Sequence, residues 1–184
     1  PLLDRIIGTF NIIGLKDINV VGGYKAEMLD RPNIKVIQNS SYADTGEVYS
    51  FYVGLKELSG PFLLSYGDVL AHKYITMNLL ESTADITIAV DANWMESRNK
   101  SRYGEYVNCD CKHSRSHFDQ RATLKTMGTW NQVSELNEGI HGEWMGLMKT
   151  SARGTHELKQ ALEELSHEPG FPKMRMPALF NRLS

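Results

Sequence analysis

The chain has 184 residues, 41% hydrophobic and 23% charged, which suits one globular domain with a single core. Its formal net charge of −2, from 20 Lys and Arg against 22 Asp and Glu, excludes the basic excess that wrapping nucleic acid demands. No run reaches the roughly 20 apolar residues of a membrane span and no signal peptide is visible, so the expectation is a cytoplasmic protein with no membrane partner.

In chain order, the helical spacing of Leu2, Leu3, Ile6, Ile7, Phe10, Ile13 and Leu15 predicts a helix over 2–15. A short buried strand follows over 17–21, broken by Gly22 and Gly23. A short helix is expected over 24–29 and a second strand over 34–37, with Pro32 between them. Residues 42–47 carry turn chemistry. A helix over 48–58 stops at Gly60-Pro61, and a third strand over 62–65 ends at Gly67-Asp68. A helix over 71–82 and a β-branched strand over 86–90 complete an alternating pattern. That alternation predicts an α/β, Rossmann-like, mainly parallel sheet with helices on both faces.

Past Asp91 the alternation ends. Residues 92–141 read as an irregular insertion with short strands over 106–110 and 122–127. A strand over 143–149, a helix over 153–165 capped by Ser151, a proline-marked loop and a last helix over 178–183 follow. The basic run Arg98-Asn-Lys-Ser-Arg102 reads as a solvated loop. Cys109 and Cys111 read as free thiols; a zinc site would need about four ligands, with His113 and His117 the nearby candidates.

Ligands of open parallel sheets gather at the carboxyl ends of the strands. Three loops fall there: Gly22-Gly23-Tyr24, residues 39–47, and Gly67-Asp68. A carboxylate at Asp68 suits a magnesium ion that also takes phosphate oxygens and water, or equally a turn or helix cap. The glycine pair admits close backbone approach to a ligand, or simply a turn. Gly46 precedes a helix whose first amides, at Glu47 and Val48, are free to donate, and Asn39 and Ser50 add polar groups; an ordinary capped loop has the same composition. In His141-Gly-Glu-Trp144, Glu143 on a strand calls for a partner, whereas Trp144 suits either a ligand or the core. There is no G-x-G-x-x-G, no P-loop and no nucleophile elbow.

Taken together, Pro1-Leu-Leu-Asp-Arg-Ile-Ile7, Ile18-Asn-Val-Val-Gly-Gly-Tyr24, Asn39-Ser-Ser-Tyr-Ala-Asp-Thr-Gly-Glu-Val-Tyr-Ser50, Leu64-Ser-Tyr-Gly-Asp68, Cys109-Asp-Cys-Lys-His-Ser-Arg115 and His141-Gly-Glu-Trp-Met-Gly146 resemble the GT-A-like nucleotidyltransferases. The resemblance is greatest to the cytidylyltransferase domains associated with phosphoenolpyruvate phosphomutase in phosphonate biosynthesis. It covers nearly the whole chain. It implies transfer of CMP from CTP to a phosphonate- or phosphate-bearing small molecule, with pyrophosphate released and Mg2+ as cofactor. By the same resemblance Asp68 would hold the metal, Gly22, Gly23, Asn39, Gly46, Glu47 and Ser50 would line the nucleotide site, and Glu143 and Trp144 would face the acceptor. Fusion to or association with a phosphomutase, and homo-oligomer formation, are further expectations of the family. Its Gly-rich loop with Arg and then Pro-Lys would precede Pro1, and its second metal aspartate would follow Ser184. Residues 1–184 are therefore expected to be a single core domain trimmed at both ends, which need not be active by itself. A sugar-1-phosphate nucleotidyltransferase, a related glycosyltransferase and a non-catalytic binding or oligomerisation module are the rival readings; the Asp-x-Asp pair usual in the glycosyltransferase is not found at Asp68-Val69-Leu70.

Overall fold

A computed structural model describes residues 1–96, 104–114, 121–136 and 139–184. The first helix, α1 (Leu2–Ile12), ends earlier than its apolar pattern because Gly14 turns to φ +91°. Strands β1 (Ile18–Gly22) and β2 (Ile34–Gln38) pair in parallel, with Ile18 opposite Ile34. Between them lies only one 3-10 turn, Ala26–Leu29, where the sequence suggested a longer helix. Helix α2 (Glu47–Leu55), strand β3 (Leu63–Ser65), helix α3 (Lys73–Glu81) and strand β4 (Ile86–Asp91) follow in the expected order.

Strands β5 (Tyr106–Cys109) and β6 (Leu124–Gly128) form a hairpin-like antiparallel pair within the insertion. A short helix α4 (Trp130–Ser134) was not legible in the sequence. Strand β7 (Gly142–Thr150), helix α5 (Ala152–Ser166) and helix α6 (Met176–Leu183) complete the chain.

The sheet corrects the expectation of a mainly parallel architecture. Among the described residues only β1 and β2 pair in parallel, as a two-stranded sheet. The other five strands form one antiparallel-paired sheet centred on β7, which pairs with β3, β4 and β5. Residues 148–149 of β7 pair with β3 on one side and β4 on the other. Since β3 and β4 are each antiparallel to β7, they run in the same direction as each other. The alternating sequence pattern thus identified like-directed strands, but it could not show that a late strand would lie between them.

Strand β7 is covered on both faces. Leu147 and Met148, successive residues with no exposed surface, point into opposite clusters. Met148 joins the main core with Val48, Phe51 and Leu55 of α2, Leu158 and Leu162 of α5, and Leu179 and Phe180 of α6. Leu147 packs with Leu79 of α3 and Ala89 of β4. Helix α5 starts as expected, with Ser151 Oγ accepting from the Gly154 amide at 3.0 Å. Gly154 is itself demanded there, because a Cβ would stand 2.1 Å from the Asp85 carbonyl oxygen. Among the described residues no helix is long and apolar enough to cross a membrane.

Candidate active site

The carboxyl ends of β1, β2 and β3 meet at the N-terminus of α2. The Asn39 amide donates to the Gly22 carbonyl at 2.8 Å, which ties the end of β2 to the end of β1. Asn39 is buried, and its side chain is fully engaged: Nδ2 donates to Thr45 Oγ1 at 3.0 Å and Ser50 Oγ at 3.1 Å, while Oδ1 accepts from the Ser41 amide at 3.0 Å. This side chain therefore shapes the loop after β2 and clips it to the first turn of α2. Gly22, Gly23, Asn39, Gly46, Glu47 and Ser50, predicted from separate stretches of sequence, are neighbours in space.

Their individual parts differ from a simple ligand-binding reading. A Cβ on Gly22 would stand 2.5 Å from Leu29 Cδ1, and one on Gly23 would stand 2.5 Å from Tyr42 Cβ. Both glycines thus allow neighbouring loops to close on the strand end, whatever else they meet. The Gly46 amide already donates to the Pro172 carbonyl, and a Cβ there would stand 2.8 Å from the Met174 carbonyl oxygen. Ser50 Oγ donates to the Gly46 carbonyl at 3.3 Å.

Glu47 is a junction of three elements. Its Oε2 accepts from Tyr66 Oη at 3.1 Å, just past β3, and its Oε1 accepts from the Met176 amide at 3.0 Å, at the start of α6. Arg175 Nε lies 3.4 Å from the same carboxylate. Asp68 stands exposed in the turn after β3, two residues beyond Tyr66.

Glu143 and Trp144, adjacent in sequence, point to opposite faces of β7. Trp144 is 6% exposed and packs edge-on against Tyr66 and Phe180, with ring centroids 5.0 and 5.1 Å away. Its Nε1 donates to the Leu147 carbonyl at 3.3 Å. Of the two sequence readings of Trp144, ligand or core, this packing fits the core. Glu143 lies in a lateral row with Asp91 of β4 and Tyr106 of β5. Tyr106 in turn meets Trp94 and Trp130, with ring centroids 5.0 and 5.8 Å away.

Glu105 is a buried carboxyl that sequence reading missed. Arg175 Nη2 lies 3.2 Å from its Oε1. Burial, then the Glu47 carboxylate, pushes Glu105 up to about 8, while Arg175 pulls the other way. Burial likewise raises Tyr66, with Glu47 adding to it. Nothing in the local sequence pairs Glu105 with Arg175 or Glu47; only the packing of α6 against α2 brings them together.

No group of three His, Cys, Asp or Glu side chains capable of holding a metal occurs among the described residues. Cys109 and Cys111 are not joined in a disulfide, and burial pushes the Cys109 thiol up to about 11. His117 and the basic run at 98–102 lie outside the described residues. A cavity of about 690 Å³ opens elsewhere, bordered by Leu79, Ile88, Val107, Cys109 and His141; none of the residues expected to meet the nucleotide, magnesium or acceptor lines it.

Neither a protein-family model nor a curated protein matches the sequence. Solved structures do match the fold. The chain is similar to the inositol-1-phosphate CTP transferase from T. maritima, with a TM-score of 0.66 and 13% identity over 98% of this chain and 67% of that one. It is similar to the CTP:phosphocholine cytidylyltransferase from Streptococcus pneumoniae, with a TM-score of 0.54 and 13% identity over 100% and 70%. It is also similar to a UDP-glucose pyrophosphorylase, with a TM-score of 0.66 and 12% identity over 100% and 75%. The mixed α/β fold is therefore one that nucleotidyltransferases adopt.

Proposed function

We propose that this chain is the core of a nucleotidyltransferase that transfers CMP from CTP to a phosphonate- or phosphate-bearing small molecule and releases pyrophosphate. The observation that carries the reading is the convergence of Gly22, Asn39, Gly46, Ser50 and the Asp68 turn at one end of β1–β3, in a fold shared with cytidylyl- and uridylyltransferases. In this reading the amide of Glu47, which opens α2, would donate to a base edge or phosphate oxygen.

The reaction is an in-line displacement. An ionised acceptor oxygen attacks the α-phosphorus of CTP, a new P–O bond forms, and the bond to the β-phosphate oxygen breaks as pyrophosphate departs. The acceptor oxygen is already anionic near neutral pH, so no general base is needed, and catalysis rests on positioning and charge neutralisation. Asp68 offers one exposed carboxylate, which fits a magnesium ion that arrives with the triphosphate better than a resident all-protein cage. Held by Asp68, such an ion would offset the negative charge that grows on the phosphate oxygens. Glu143, with the Tyr106 and Trp94 rings beside it, would form the acceptor wall; Trp144 supports that wall from the core. A cytoplasmic location, an associated phosphomutase and self-association belong to the same reading.

A sugar-1-phosphate nucleotidyltransferase is the second reading, because the likeness to the UDP-glucose pyrophosphorylase has the same TM-score as that to the CTP transferase. Pyrophosphate release from CTP, UTP and dTTP, measured on the native-length gene product with magnesium and a panel of phosphonates and sugar phosphates, separates the two. Turnover of CTP with a phosphonate, lost in a folded Asp68→Asn variant, is the expected result. Turnover only with sugar phosphates moves the assignment to the second reading. A folded protein that releases no pyrophosphate with any pair, and binds no nucleotide, is a binding or oligomerisation module.

A further inference from the structure

The loop that leads into α6 grips the start of α2. The Gly46 amide donates to the Pro172 carbonyl at 2.6 Å, and the Met174 carbonyl oxygen would lie only 2.8 Å from a Cβ on Gly46. Next in the chain, Arg175 reaches two acids. Its Nε lies 3.4 Å from Glu47 Oε1, and its Nη2 lies 3.2 Å from Glu105 Oε1. The Met176 amide then donates to Glu47 Oε1 at 3.0 Å.

The two acids sit in different surroundings. The Glu47 side chain is 29% exposed and also accepts from Tyr66 Oη. Glu105 is 7% exposed, and its Oε1 is shut off from solvent. Its carbonyl accepts from the Trp144 amide at 2.8 Å, which fixes its backbone to β7. Among the described residues, the titratable groups around Glu105 are Glu47 of α2, Arg175 ahead of α6 and Tyr66 past β3. The Glu143 carboxylate of β7 and the Tyr106 hydroxyl lie beside Gly104, one residue earlier.

One guanidinium thus faces two carboxyl groups, and the charges balance when one carboxyl carries a proton. Glu105 is the better holder. Burial, then the Glu47 carboxylate, raises it to about 8 against the pull of Arg175. Tyr66 is raised by burial, then by Glu47 and Glu105, so it stays a neutral donor. The cluster borders each part of the proposed site. Glu47 opens α2, Tyr66 stands two residues before Asp68, and Glu105 stands one residue before Tyr106 of the acceptor wall.

The geometry points to Glu105 and Arg175 as positioning residues of the nucleotide site: a proton on Glu105 commits the guanidinium to Glu47 and holds the first turn of α2 ready for a triphosphate, and its loss sets a second buried carboxylate against Glu47. That carboxylate competes for the guanidinium and leaves an unbalanced negative charge beside the turn. The inference rests on the nucleotidyltransferase reading and adds the control of its nucleotide end. Binding of magnesium-CTP and protonation of Glu105 then favour each other. Because the folded value of Glu105 is raised, affinity is complete well below about 8 and declines as pH rises through it.

Titration calorimetry of magnesium-CTP into the native-length gene product, between pH 7 and pH 9, tests it. The parent Kd should rise by about 10-fold across that range, as expected for one added charge near a polyanion. Binding at pH 8.5, compared in two buffers of different ionisation heat, should take up protons. Glu105→Gln, which keeps a neutral group of the same shape, should remove both the fall and the uptake. Arg175→Gln should bind more weakly and move the fall to higher pH, because the guanidinium no longer opposes the proton on Glu105. The same fall in a folded Glu105→Gln variant overturns the inference, and so does a parent whose affinity is level with pH. If Glu105→Gln does not fold, Arg175→Gln decides: a fall left at its parental pH overturns the inference, and a moved one supports it. A folded parent that binds no nucleotide at any pH defeats the enzymatic reading, and this inference with it.

Discussion

At the scale of single residues, the side chains expected to touch a nucleotide are largely occupied with one another. Asn39 uses both of its amide atoms to hold the loop after β2 on α2, so its removal leaves buried partners unpaired. Asn39→Ala should lower stability by about 1–3 kcal/mol. Urea denaturation would measure this, and a loss of nucleotide affinity alone, at unchanged stability, would contradict the positioning role. Trp144→Ala should be costlier, about 3–5 kcal/mol, because it empties a core site bounded by Tyr66 and Phe180. If Trp144 instead met only an acceptor, its loss would raise KM and leave the denaturation midpoint in place. Asp68→Asn is the converse case. The side chain is exposed, so the thermal midpoint should move little while turnover falls.

At the scale of elements, the helices with a strong apolar stripe and a legible cap were the readable ones. Helix α5 is the example: Ser151 opens it and Leu158, Leu162 and Leu165 define its buried side. Ser151→Ala should cost about 1 kcal/mol through the lost bond to the Gly154 amide. Gly154→Ala should cost more than Ser151→Ala, since the new methyl meets backbone at Asp85 rather than a movable side chain. Equal midpoints for Gly154→Ala and the parent in thermal denaturation would show that α5 can shift away from the strand it covers. Helix α4 escaped detection for a physical reason: it has five residues, buries only Val133, and is held by Gln132 Oε1 accepting from the Thr129 amide at 2.9 Å. Such a segment has no periodicity to read.

At the scale of the whole molecule, the last helix completes the site. Arg175 and the Met176 amide, just at the start of α6, hold Glu47 of α2, and Arg175 also reaches Glu105 beside β5. The groups facing Glu105 are thus Glu47, Arg175 and Tyr66. Because the folded-state value of Glu105, about 8, lies above its ordinary 4.5, the folded chain holds a proton that the unfolded chain has released. This contribution to stability is complete below pH 4.5 and declines as pH rises to about 8. Thermal midpoints of the parent should fall across that window, and Glu105→Gln should flatten the fall. An unchanged slope in a folded Glu105→Gln variant would place the titration elsewhere.

The sequence by itself determined the local matters: most of the segments that are helix or strand, and where glycine and proline break them. These rest on periodicity and on backbone constraints that act over a few residues. The tertiary structure alone decided how the strands are ordered, because β7 inserts between β3 and β4 through hydrogen bonds that any strand sequence can make. It also decided that Trp144 turns inward while Glu143 turns the other way, and that Glu105 meets Glu47 and Arg175. Those outcomes depend on contacts between residues far apart in the chain, where burial and charge act only after the fold has brought them together.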